Sequence, residues 1–220
     1  MKPVGIACAL GLIWVTIASG ASPAEVVILR EGSLAKRASV TSQSQIERVR
    51  RIMLPLIEGA GGARRTEEIR IRIIEEPSIN AGSAGDGQFI VTTGLLEKAN
   101  DDQLRGVLAH EIAHDRLGHP RRAQLLWSGL GLGTRLLEQF IPGSGALAPV
   151  AAALLAHRYS QPQEYEADRY AVKILHRSGY SKEIMIDTLE WLKQTSGDGG
   201  GFLSTHPALS DRIRALRARS

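Results

Sequence analysis

The chain has 220 residues, 43% hydrophobic and 23% charged, an ordinary globular composition long enough for one domain with a sizeable core. Its net charge of +4 and pI near 9.5 come from scattered arginines. There is no dense Lys/Arg tract with interleaved aromatics, so nucleic-acid binding is not expected, while a weak peripheral contact with anionic lipid stays open.

In chain order, Lys2 precedes an apolar run from Val4 to Ala18, and the small residues Ala18, Ser19, Gly20 and Ala21 close it. This is the layout of a secretory signal, with cleavage after about Gly20 or Ala21. Residues 1–21 are therefore expected to be a signal peptide, and 22–220 a single domain exported to the periplasm or cell envelope. The run is short for the roughly 20 residues of a membrane span, so an uncleaved anchor is the second reading. Cys8, the only cysteine, lies inside the run and would leave with it. A metal site in the mature chain must then use nitrogen and oxygen ligands.

Residues 22–45 show no strong periodicity and read as an extended lead-in. From Gln45 to about Leu56, Ile46, Val49, Ile52, Met53 and Leu56 recur at helical spacing. Pro55 should help to end that helix, and Gly59, Gly61 and Gly62 read as a loop. Ile69, Ile71 and Ile73 alternate with Arg70, Arg72 and Ile74, a half-buried strand closed by Pro77. Residues 80–87, NAGSAGDG, read as a small-residue loop. Gln88 to Thr93 is β-prone, and a short helix from Leu95 to Ala99 follows.

Asn100 stands three residues before Gln103, the signature of a capping box opening a helix. Gly118 and Pro120 stop it. Within it, His110 and His114 are i and i+4, on one face, and so present two imidazole nitrogens to one metal ion. Glu111 is about 100° further round the helix, which aims its carboxylate beside the metal to hold a metal-bound water. HExxH is the sequence form of a zinc hydrolase helix with the Glu as general base. Leu104, Val107, Leu108, Ile112, Ala113 and Leu117 form a wide apolar stripe, so the helix is mostly buried and its polar groups need partners. His119, five residues past His114, is poorly placed as a ligand from a regular helix. It reads as a terminal His bonded to backbone carbonyls, or as outer support for the site.

Residues 121–157 hold two apolar stretches, each too short to span a bilayer. They read as a buried or flap-like helical hairpin, with a membrane-facing surface as the alternative. Residues 160–175 form a helix in which Tyr165, Ala167, Tyr170, Ala171, Ile174 and Leu175 suggest a buried face. Glu164 and Asp168 share one side of it, and two like charges so placed call for a cation or donor between them. Glu164 would complete a zinc shell, and Asp168 would accept an N–H from a ligand His. Spacing alone leaves open Glu166 as the ligand, or salt bridges to Arg169 or Lys173. Ser181 to Thr195 is a further helix, 196–201 a flexible connector, and a basic helix begins near Leu209. His206 precedes Pro207, which favours an extended conformation. It is either a surface loop His or a mobile one that reaches the zinc or the developing oxyanion.

HEIAH at 110–114, GH at 118–119, EYEAD at 164–168, and THP followed by DRI at 205–213 occur in this order, preceded by the NA of SINAGSAGDGQFIVTTGLL. The combination resembles the M48 family of zinc metalloendopeptidases, and most of all its exported bacterial branch, which acts in cell-envelope proteostasis. The resemblance covers about residues 45–217. It implies an α+β fold: a mainly helical zincin-type domain with a small β-sheet beside the HExxH helix. It implies one Zn2+ per chain, held by His110, His114 and Glu164. Glu111 is the implied general base, Asp168 the carboxylate that orients a ligand His, and His206 a residue near the fourth metal position. Gln88, Phe89, Ile90 and Val91 match the edge strand along the cleft. The expected substrates are unfolded or misfolded envelope proteins, paired as strands to that edge. The alternative is a periplasmic chaperone-like or assembly factor with a latent zinc site.

Overall fold

The computed structural model describes residues 25–29, 38–61, 69–121, 159–195 and 201–218. The expected signal peptide, the apolar stretches from 122 onward and the connector up to 200 lie outside the described residues.

The alternating isoleucines form β2 (Arg70–Ile74), with Ile71 and Ile73 buried and Arg70 exposed. β2 lies in a four-stranded sheet with β1 (Glu25–Leu29), β3 (Ala81–Gly85) and β4 (Gln88–Thr92), in the order β1-β2-β4-β3. β1 and β4 both run parallel to β2, and β3 runs antiparallel to β4. Around the sheet are α1 (Ala38–Ala60), α2 (Thr93–Lys98), α3 (Asp101–Arg116), α4 (Gln161–Arg177), α5 (Glu183–Thr195), α6 (Phe202–Thr205) and α7 (Leu209–Arg217). One hydrophobic core joins residues of β2, β4 and α1 to those of α3, α4, α5 and α7, an α+β architecture.

Three segments differ from the sequence expectation. The first is the lead-in, which contains β1 and the first turns of α1. EVVIL is a β-branched run that gains a register only by pairing with β2.

The second is Pro55, which lies inside α1 and does not end it. An interior proline costs about 3 kcal/mol. Leu56 and Ile57, just beyond it, are buried, and each such side chain returns roughly 1.5–3 kcal/mol. Ser178 Oγ donates to the Pro55 carbonyl at 2.9 Å, and the helix stops only where Gly61 takes φ +66°.

The third is the small-residue loop, which is instead β3 of a hairpin. Asp86-Gly87 is a turn pair whose φ values are +54° and +75°, as a two-residue hairpin turn requires. Ala and Gly have low strand propensity, so pairing with β4 makes this strand.

α3 begins with both halves of its capping box made: Asn100 Oδ1 accepts from Gln103 N (2.8 Å), and Gln103 Oε1 accepts from Asn100 N (2.9 Å). From Gly106 to Asp115 every residue is buried, because α3 packs against α1, α4, α5 and β3 at once. Asp115 Oδ1 accepts from Gly87 N (3.0 Å) and ties the hairpin turn to the end of this helix. A Cβ on Gly106 would lie 2.1 Å from Thr188 Oγ1 and 2.8 Å from Thr188 Cβ on α5. Gly106→Ala should therefore destabilise the protein by about 1–3 kcal/mol through overpacking, despite alanine's better helix propensity. Urea denaturation checks this, and an unchanged midpoint would show that α5 gives way freely.

Candidate metal centre

Four side chains from three parts of the chain converge. His110 and His114 come from α3, Glu164 from α4, and His206 from the segment between α6 and α7. All four are buried, and one nitrogen or oxygen from each lies within 4.8 Å of the others. His110 Nε2 is 3.0 Å from His114 Nε2 and 3.3 Å from His206 Nδ1. Glu164 Oε1 is 3.1 Å from His206 Nδ1 and 3.3 Å from His114 Nε2, and Glu164 Oε2 is 3.4 Å from His110 Nε2.

Helix geometry explains the convergence. On α4 the buried positions are Glu164, Ala167, Asp168, Ala171, Ile174 and Leu175, the core-facing stripe of an amphipathic helix. The two carboxylates thus occupy places that packing reserves for apolar side chains, facing α3. His206, at φ −124° and ψ 82°, has the extended backbone expected before proline. Its ring is buried, stacked on Phe202 (centroids 4.0 Å apart, 14° between planes) and flanked by Tyr159 (5.1 Å). The surface-loop reading of His206 is therefore corrected: Phe202 and Tyr159 hold it in the centre.

Glu111 is also buried but stands beside the donor set. Neither of its carboxylate oxygens makes a hydrogen bond among the described residues, and Oε1 lies 3.3 Å from His206 Nε2. A buried carboxylate with no hydrogen bond and a single long imidazole contact has acceptor capacity for a bound polar molecule.

Asp168 Oδ1 is 3.1 Å from His110 Nδ1, and the Asp168 carboxylate accepts from Arg212 Nε at Oδ2 (2.8 Å) and from Nη2 at Oδ1 (2.6 Å). Arg212 Nη1 also pairs with Glu164 Oε2 at 2.5 Å. Burial pushes the Asp168 carboxyl up, but Arg212 and His110 outweigh it and hold it at about 2. Glu164 is held well below the carboxylate range against its own burial by His206 and Arg212. Burial and Arg212 oppose a cation on His110, yet Asp168 and Glu164 raise it to about 9, whereas burial drives His114 well below its ordinary value.

Arg212 is the residue that sequence reasoning missed. It reads as one arginine of a basic terminal helix, but Leu209, Arg212, Ile213 and Leu216 are the buried stripe of α7. An arginine at a core-facing position was the available signal. Tyr159, whose ring lies 3.8 Å from that of His114, gave no sequence signal.

Glu166, open as a ligand in the sequence, lies away from the donor set: its side chain is 46% exposed and pairs with His119. His119 is buried and meets His114 at Nδ1–Nδ1 2.9 Å, the outer-support position. The edge assignment for Gln88, Phe89, Ile90 and Val91 is corrected. β4 is paired with β2 on one side and β3 on the other, so its backbone groups are committed, and among the described residues β3 is the edge strand beside α3. The hairpin turn at Asp86-Gly87, unread in the sequence, places an extra strand outside β4.

The donor set fits a small divalent ion. A tetrahedral ion with ligands at roughly 2.0–2.1 Å sets its donors about 3.3–3.4 Å apart, close to the spacings above. Imidazole and carboxylate without thiol suit zinc.

A model of the family described as peptidase family M48 matches residues 43–220. Metalloprotease LoiP of Escherichia coli K12 is 25% identical over 163 residues, covering 70% of this chain and 63% of LoiP. Metalloprotease YcaL of the same strain is 27% identical over 160 residues, covering 69% of this chain and 62% of YcaL. The Beta-barrel assembly-enhancing protease of that strain is 32% identical over 165 residues, covering 67% of this chain but 34% of the relative.

Proposed function

The chain belongs to peptidase family M48, and from that premise we propose that it is a zinc metalloendopeptidase acting on unfolded or misfolded proteins of the cell envelope. The observation that carries this is the buried donor set of His110, His114, Glu164 and His206 with the buried Glu111 carboxylate, which makes no hydrogen bond among the described residues, at its side. Zinc held by His110, His114 and Glu164 would supply Lewis acidity to the scissile carbonyl and to a water. Glu111 takes the proton from that water on its carboxylate and hands it to the leaving amine. Asp168 fixes the tautomer of His110 by accepting from Nδ1. His206 Nε2, beside Glu111, meets the developing oxyanion.

The edge strand β3 offers backbone pairing to an extended chain whatever its sequence, which suits unfolded segments. The name of the Beta-barrel assembly-enhancing protease and the secretory layout of residues 1–21 support an envelope location. No helix among the described residues is long and apolar enough to cross a membrane.

The test is cleavage of casein by the purified chain, with zinc and with a chelator. Loss with the chelator and recovery with zinc is the expected result. A second reading is an assembly factor or holdase with a latent site, favoured by His206 standing at the fourth corner of the donor set. Full zinc loading without cleavage under any condition would select it.

A further inference from the structure

His119 and Glu166 take no part in the chemistry proposed above, yet both are placed with care. In a continuous helix the residue five beyond His114 lies about 140° round the axis and faces elsewhere. Gly118, at φ +69°, ends α3 and swings the chain so that the buried His119 ring returns to His114. No atom of the described residues lies within 4 Å of a Cβ built on Gly118, and its positive φ is what calls for glycine there.

The two rings meet edge to face, centroids 4.9 Å apart at 68°, with Nδ1 facing Nδ1 at 2.9 Å. One nitrogen must donate and the other accept. His114 Nε2 faces the donor set and needs its lone pair there, so the His114 proton sits on Nδ1 and is given to His119 Nδ1. The His119 proton then sits on Nε2, which lies 3.3 Å from Glu166 Oε2. We propose that Glu166 and His119 form a relay that positions His114, the counterpart of Asp168 at His110. One ligand imidazole is then backed directly by a carboxylate, the other through a neutral imidazole. His119 and Glu166 are positioning residues, and the inference rests on the reading that the donor set holds zinc.

The test is zinc affinity of the full chain by chelator competition, with the visible spectrum of the cobalt-loaded form as a second readout. His119→Ala should weaken binding roughly 10- to 100-fold and shift the cobalt spectrum. His119→Asn, which keeps an acceptor near the Nδ1 position, should recover most of the affinity. Glu166→Gln, a change on a half-exposed side chain, should weaken binding in the same direction by less, and carries the test if His119→Ala does not fold. Wild-type affinity in both His119→Ala and Glu166→Gln would overturn the relay while leaving the zinc reading intact. Asparagine as weak as alanine would also overturn it, since ring packing and not the acceptor would then matter. Wild type that takes up no zinc would sink the zinc reading and the relay together.

Discussion

Glu111→Gln should retain zinc and lose cleavage, by about 10²- to 10⁴-fold or more, the range for removing a general base. Glu111 is outside the set of four donors, so the metal content should match wild type. Glutamine keeps the volume of a side chain that is 1% exposed, so the fold should not change. It cannot accept the proton. Metal analysis and casein cleavage on wild type and variant, purified in parallel, check both halves. Retained cleavage would remove Glu111 as the base. If Glu111→Gln rescued the loss of the gene in cells, the binding reading would replace the enzymatic one.

The second large effect belongs to Arg212. Arg212→Met should destabilise the protein by roughly 3–5 kcal/mol, the usual cost of stranding one side of a buried ion pair. Two buried carboxylates, Asp168 and Glu164, lose their shared cation. Removing one of them as well, in Arg212→Met with Asp168→Asn, should recover part of the loss. Urea denaturation of the single and double variants measures this, and equal stability of Arg212→Met and wild type would refute it.

The same pair predicts an acid limb. Asp168 has a folded value of about 2 against an ordinary 3.8, so its carboxylate stabilises the fold above about pH 4. That contribution, about 2 kcal/mol, is lost as pH falls through 2. Measured in chelator, so that metal release does not contribute, Asp168→Asn should flatten the stability curve between those values. An unchanged acid limb would place the titration elsewhere.

Much of this site was legible in the sequence because helices fix relations over short distances. His110 and His114 at i and i+4 had to share a face, and Glu164 and Asp168 likewise. The capping box at Asn100 and the stops at Gly118 and Pro120 marked the limits of α3 within a residue or two. The isoleucine alternation of β2 and the apolar spacing of α1 named their buried faces correctly. Motif order added the likeness to M48.

What the sequence could not decide was anything set by distant partners. Whether Glu164 or Glu166 turns toward His110 depends on how α4 packs on α3, and one residue is 100° of rotation. His206 enters the centre from 96 residues beyond His110, held by Phe202 and Tyr159. β4 ceased to be an edge because an Ala/Gly segment with little strand propensity paired outside it across an Asp-Gly turn. Pro55 failed to end α1 because tertiary burial outweighed its local cost. Arg212 became the counter-ion of the centre because α7 turns that position inward. Local spacing determines which side chains share a face; only packing of the whole chain determines what each face meets.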